Sequence, residues 1–305
     1  GQTLQGLDFG NQPIIGPDTP NTWIITGENE GTLNGVLFTN VATLIGGSDI
    51  DIFIFETAGR ITGDILAGDG NDVIHLAAGL GVGGDIAGGN DNDRLVGPDA
   101  GATFNVLGLN AGTVSGVGGS FTDVENLTGG DSVDTFQLDG GALSGSIDGG
   151  GNNDTLIAND AVANGFTIVA TNAGTLTGLG GGFTDVENLT GGDSADTFQF
   201  NGGTLSGSID GGGGNNDVLI TNDTVDTAFA IAGLNADIMS GLIDGGGDGD
   251  NNDTLIADDA VPTTFVIAAT NAGTMTGIGG GFNSFENLTG GDSADTFQLN
   301  GGTLS

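Results

Sequence analysis

The residues best suited to chemistry in this chain are aspartates, and they recur at a fixed interval beside glycine. Asp51, Asp72 and Asp93 open the segments DIFIF, DVIHL and DRLVG at successive separations of 21 residues. Asp134 and Asp154, 20 apart, and Asp196 and Asp217, 21 apart, continue the series. On strands stacked about 4.8 Å apart, carboxylates of adjacent corners repel by about 1 kcal/mol in water and by several at lower effective dielectric. That repulsion requires neutralisation, and hard carboxylate oxygens favour Ca2+, which accepts about 6–8 oxygen ligands. The candidate metal ligands are Asp69, Asp72, Asp91, Asp93, Asp131, Asp134, Asp154, Asp193, Asp196, Asp217, Asp253, Asp292 and Asp295. The alternative is that these residues and the neighbouring asparagines only build Asx turns and face solvent.

Other chemistry-bearing residues are sparse. His75, the sole histidine, alternates with Ile74 and Leu76 and is expected on an outer face rather than in a catalytic site. Arg60 and Arg94, the only fixed cations, are expected to offset local acidic charge. Asp258 and Asp259 suggest the paired carboxylates of β-helical glycosidases, but Asn159-Asp160 and Asn222-Asp223 hold the same place in other copies. A position repeated in every module is architecture, because catalysis needs one site. Thr135, Thr155, Thr175, Thr197, Thr254, Thr274 and Thr296 are expected to form an outward ladder, which reads as β-propensity on a solvated face or as an ice-binding surface. The sequon N-L-T at Asn126, Asn188 and Asn287 lies inside the repeat and reads as strand.

The corner LAGDGNDVIHL (residues 66–76) resembles the calcium-binding nonapeptide of the repeats-in-toxin family, G-G-x-G-x-D-x-U-x with U a large apolar residue. Gly68, Gly70, Asp72 and Ile74 match it, while Ala67 replaces its first glycine. GGNDNDRL, GGGNNDTL and GGDSADTF match less closely, with Asp91, Asn152 and Ser194 in the second-glycine slot. The resemblance covers the corners, roughly a third of the chain, and implies calcium at the turns of a parallel β-roll. The family's turns recur about every 9 residues, whereas here the interval is 21, so the two-sided roll geometry is not carried over.

The elements that must position these corners are internal repeats. FTDVENLTGGDSADTFQF (183–200) has close copies beginning at Phe121 and Phe282 and a worn one at Phe38. From Phe121 to Phe183 is 62 residues, three coils of about 21. From Phe38 to Phe121 is 83 and from Phe183 to Phe282 is 99, so whole or partial coils are inserted, as a stacked array tolerates. Trp23 stands where later modules carry Phe166. Within each coil, short runs such as TFQF alternate apolar and polar residues, the period of a half-buried strand. Stacking predicts one internal column of Phe136, Leu156, Leu176, Phe198, Leu219, Leu255, Met275 and Phe297. Each burial stabilises by about 1.5–3 kcal/mol. The expected fold is all-β, a parallel β-solenoid (β-helix or β-roll-like) with coils of about 21 residues and glycine/aspartate corners. Residues 1–22 read as a lead-in or link, and 23–305 as one continuous array with diverged modules at 23–120 and closer ones at 121–305.

Composition bounds the function. Gly is 64 of 305 residues, Pro 5 and Cys 0, which excludes collagen and a disulfide framework. Forty acidic residues against two arginines give a formal charge of −38. Direct nucleic-acid binding is thereby excluded, since phosphate contacts need a basic footprint, and no apolar run reaches the roughly 18–20 residues of a membrane span. No signal peptide is visible, and the chain begins without Met and stops in mid-module, the pattern of a fragment, of further repeats or of end-to-end stacking. VENLTGG-type corners resemble those of giant bacterial adhesins and of surface-layer and matrix proteins. The resemblance implies an extracellular, calcium-stabilised structural rod and not an enzyme. A glycan- or ice-binding module, or a β-helical polysaccharide-cleaving enzyme, is the alternative.

Overall fold

The computed structural model describes residues 7–8, 10, 12–79, 81–213, 217–220, 228–230, 242–245, 253–257, 262–276, 278 and 280–305. Asn222-Asp223, Asp258-Asp259 and most of the inserted segment near 234–252 lie outside them. Among the described residues the chain is all β, in short strands joined by glycine-rich turns, and most pairings are parallel. It is a parallel β-solenoid that divides into two units: Gly1–Leu156 with Gly178–Val186, and Ile157–Thr177 with Glu187–Ser305.

In the first unit the 21-residue period sets the register directly. Strands Leu44–Gly47, Ile65–Asp69 and Ile86–Asn90 stack in parallel, pairing Leu44 with Ile65 and Ile65 with Ile86. A second stack runs through Asp51–Phe55, Val73–His75, Arg94–Val96, Asn126–Thr128, Ser146–Asp148 and Gly182–Thr184. Phe53, Ile74, Leu95, Leu127, Ile147 and Phe183 are in register along it, and all are buried. A third row of parallel bridges links Ile61, Val82 and Val117. Alternation follows the pleat: Phe53 and Phe55 point inward, Ile52 and Ile54 outward.

One glycine column shows why the corners cannot take side chains. Gly68 (φ +119°) and Gly89 (φ +113°) lie in register. A Cβ on Gly89 would lie 1.9 Å from the carbonyl oxygen of Gly68, and one on Gly68 would lie 2.1 Å from that of Gly47. Positive φ and the close approach of successive coils both demand glycine.

The parallel stack is interrupted once per module by an antiparallel hairpin, a correction to the expected uniform coil. Asn21–Gly27 returns as Glu30–Leu33, Thr103–Gly108 as Ala111–Val114, Gly165–Ala170 as Ala173–Leu176 and Thr264–Ala269 as Ala272–Met275. The segment around Thr175, read from sequence as a parallel coil, is therefore the return arm of a hairpin. Asn29, Asn110, Asn172 and Asn271 sit at the turns with φ between 52° and 57°, a left-handed conformation that asparagine tolerates better than most residues. The expected columns change accordingly. Leu176 and Met275 are buried, but they oppose Phe166 and Phe265 across the hairpins. Aromatic stacks form instead between the hairpin's first arm and the next parallel strand. These are Trp23 on Phe53, Phe104 on Phe136, Phe166 on Phe198 and Phe265 on Phe297, with centroids 4.7–5.6 Å apart and planes within 9°. Trp23 thus fills the place of Phe166, as the repeat alignment implies. Thr175 and Thr274 lie on return arms opposite Thr167 and Val266, so the threonines do not form one ladder.

Candidate functional site

The corner aspartates fall into two sets. Asp69, Asp91, Asp131, Asp193 and Asp292 are exposed. Asp72, Asp93, Asp134, Asp154, Asp196, Asp217 and Asp253 are buried, none more than 2% exposed, and Asp295 is half-buried. Proximity to glycine turns suggested a solvent-facing corner for both sets; the second set points inward instead. What makes this possible is the backbone, which supplies donors to each carboxylate.

In the first unit these donors form a continuous chain. The Asn21 N–H donates to Asp51 Oδ1 (2.9 Å), the Asp51 N–H to Asp72 Oδ1 (2.7 Å), the Asp72 N–H to Asp93 Oδ1 (2.8 Å) and the Asp93 N–H to Glu125 Oε2 (2.7 Å). Each link spans one coil. Further along, the Ala102 N–H donates to Asp134 and the Asp134 N–H to Asp154 Oδ1 (2.7 Å). In the second unit the Asn164 N–H donates to Asp196 Oδ1 (2.7 Å) and the Asp196 N–H to Asp217 Oδ1 (2.9 Å). The Asp253 N–H meets Glu286 Oε2 (2.9 Å), and the Thr263 N–H meets Asp295 Oδ1 (2.8 Å). Bonds from backbone N–H to a carboxylate are charge-assisted and stronger than neutral ones.

The second oxygen distinguishes the modules. Asp134 Oδ2 accepts from the Gly130 N–H (2.7 Å) and Asp196 Oδ2 from the Gly192 N–H (2.8 Å). The Oδ2 atoms of Asp51, Asp72 and Asp93 are buried with no hydrogen-bond partner. Desolvation pushes the carboxyls of Asp51, Asp134 and Asp196 above the usual carboxylate range. For Asp72 and Asp93 burial, opposed by the N–H donors and reinforced by neighbouring carboxylates, carries them to about 7. An oxygen so placed is suited to holding a proton.

No family model, curated protein or solved structure matches this chain. The site must therefore be understood from its own geometry. Among the described residues, no group of three or more acidic, histidine or cysteine side chains is brought together as a metal-ligating set. The exposed carboxylates are held singly: Asp91 Oδ2 accepts from the Gly70 N–H (3.2 Å), and Asp69 Oδ1 accepts from the Asn90 side chain (2.6 Å). His75 is half-buried on the outer face, in a groove of about 760 Å3 whose walls include Glu56, Asp99 and Thr26. Arg60 pairs with Glu28 at 3.2 Å, offsetting local charge as expected. Asn126 donates its side-chain amide to Asn92 Oδ1 and to the Asp93 carbonyl, so this sequon asparagine is engaged between coils.

The glutamate of VENLTGG is a positioning residue that the aspartate spacing does not single out. Glu125 receives the Asp93 N–H on one oxygen and the Asn110 side chain on the other (2.7 Å), and Glu286 does the same for Asp253 and Asn271. Glu187 takes Asn172 in the equivalent bond (2.8 Å). Each glutamate ties a hairpin-turn asparagine into the corner. The available signal was the joint recurrence of N-A-G and V-E-N-L or F-E-N-L, 15 residues from asparagine to glutamate.

Proposed function

We propose that this chain is an extracellular structural repeat protein, an acidic β-solenoid whose corners are neutralised by divalent cations, calcium foremost. It would act by spanning distance or coating a surface, joined to further repeats or to other copies end to end. The observation that carries this reading is the aspartate chain from Asp51 to Glu125. Each recurring carboxylate spends an oxygen on the backbone of the preceding coil, which is a task of architecture repeated per coil rather than a single reactive centre.

Support for cations comes from the outer set. Asp69, Asp91, Asp131, Asp193 and Asp292 are exposed at glycine turns, in a chain of formal charge −38. A calcium ion there would draw on one or two carboxylates and on turn carbonyls, the hard oxygen donors it prefers. Neutralisation would relieve repulsion between coils without involving the buried oxygens. The test is thermal unfolding of the full chain at constant ionic strength, with calcium and with a chelator. A ligand that binds only the folded state at about 100 times its Kd adds about 2.7 kcal/mol, which is expected to raise the midpoint by several degrees. An unchanged midpoint would sink the calcium reading.

A further inference from the structure

The outer face of the first unit departs from the repeat at one place. In the strands carrying TFQ, the outward positions are Thr135 and Gln137, Thr197 and Gln199, and Thr296 and Gln298. In the matching strand Asp51–Phe55 they are Ile52 and Ile54, 38% and 37% exposed. Register places Ile52 between Thr22 and Val73, and Ile54 between Ile24 and His75. Leu37, 51% exposed, completes the row beyond Ile24 and Thr32. Five aliphatic side chains thus share the outer face of adjoining strands; later modules carry threonine and glutamine at the places of Ile52 and Ile54, while Val218 and Val266 keep a valine at the places of Val73 and Ile24.

The charge beside this island is also exceptional. Arg94 is next to Val73 in the outer row, and His75 is next to Ile54. One of the chain's two arginines and its only histidine therefore border the same patch. Arg94 is exposed and has no ion pair among the described residues. Glu56 and Asp99 line the groove that His75 enters. The face consequently has an apolar centre with one arginine, Arg94, on its border and an acidic groove, shared by His75, beside it.

We propose that this face is an isologous interface between two copies of the chain, packed outer sheet against outer sheet. A two-fold axis lets one patch satisfy itself: the isoleucines of each copy exclude water from those of the other. Arg94 of one copy meets Glu56 and Asp99 of its partner. Sheets packed in this way lie about 10 Å apart with interdigitated side chains, and isoleucine suits that geometry where glutamine does not. Charge complementarity selects a copy of this chain as the occupant, because Arg94 favours an acidic partner and Glu56 and Asp99 of the same face supply one. The formal charge of −38 opposes approach at low salt, so association belongs to ionic strengths at which the Debye length falls below about 8 Å.

Sedimentation velocity of the full chain in chelator, at about 0.5 M sodium chloride and over a hundredfold range of concentration, tests this independently of calcium. A concentration-dependent dimer is expected. The double variant Ile52→Thr with Ile54→Gln installs the residues that later modules carry at these positions, so the fold is retained; circular dichroism checks this. Its dimer dissociation constant is expected to rise at least tenfold, and Arg94→Glu is expected to weaken association in the same direction. A wild-type chain monomeric throughout the range would overturn the proposal. So would a dimer unchanged in the double variant, which would place the contact elsewhere, as at the coil ends.

Discussion

At the scale of single residues, the unusual feature is a carboxylate buried with one oxygen satisfied and the other bare. Asp72 and Asp93 titrate at about 7 in the folded chain against an ordinary value of 3.8, first because burial removes hydration from the charged form. The folded state therefore binds protons that the unfolded state has already released across that interval. Stability is greatest below the ordinary value and is lost as pH rises from about 4 to about 7. In chelator, the unfolding midpoint is expected to fall between about pH 4 and pH 7. Asp72→Asn should flatten this slope and raise the midpoint at the alkaline end, since the amide keeps an acceptor for the Asp51 N–H and needs no proton. Asp69→Asn removes the same charge from an exposed position and controls for general repulsion. An identical slope in both variants would show that the buried pair does not govern it.

At the scale of elements, the aromatic stacks join each hairpin to the parallel strand beside it. Phe136 is fully buried and lies parallel to Phe104 at 4.9 Å. Phe136→Ala is expected to cost about 3–5 kcal/mol, while Gln137→Ala, on the outer side of the same strand, should stay within about 0.5 kcal/mol. Urea denaturation midpoints measure both, and equal effects would mean that the face assignment is wrong. The sequence shows this face assignment plainly, because a period of two in TFQL and a spacing of 21 between Asp51 and Asp72 leave little choice of side or register. It does not show direction. GTLTG alternates as DTFQF does, and the left-handed turns at Asn172 and Asn271, not the strand residues, reverse the chain. Nor does it show that Asp72 points inward. An aspartate is an exterior residue until the backbone donors that solvate it are known, and those come from residues 20 to 32 positions away. Glu125 was hidden for the same reason, since its two partners, the Asp93 N–H and the Asn110 amide, are brought to it only by the stacked coils.

At the scale of the whole molecule, 40 carboxylates and two arginines make the solvent's ions part of the folded state. Where Asp64 Oδ1 accepts the Asp85 N–H at 2.9 Å, a half-buried and an exposed carboxylate occupy adjacent coils, and paired strands lie about 4.8 Å apart. The Debye length is about 10 Å at 0.1 M salt and about 3 Å at 1 M. At ordinary ionic strength such neighbours are still within reach of one another, and screening between them develops only toward molar salt. Sodium chloride is therefore expected to keep raising the unfolding midpoint from about 0.1 M to about 1 M, rather than levelling off near 0.15 M as for charges a Debye length apart. Replacing Asp64 and Asp85 together by asparagine should reduce the gain over that interval, because it removes one adjacent pair while retaining an acceptor for the Asp85-position N–H and for Ser120, which donates to Asp85 Oδ1. A midpoint flat from 0.1 M upward would mean that these rows do not burden the fold. Any stabilisation by cations would then have to come from the glycine corners.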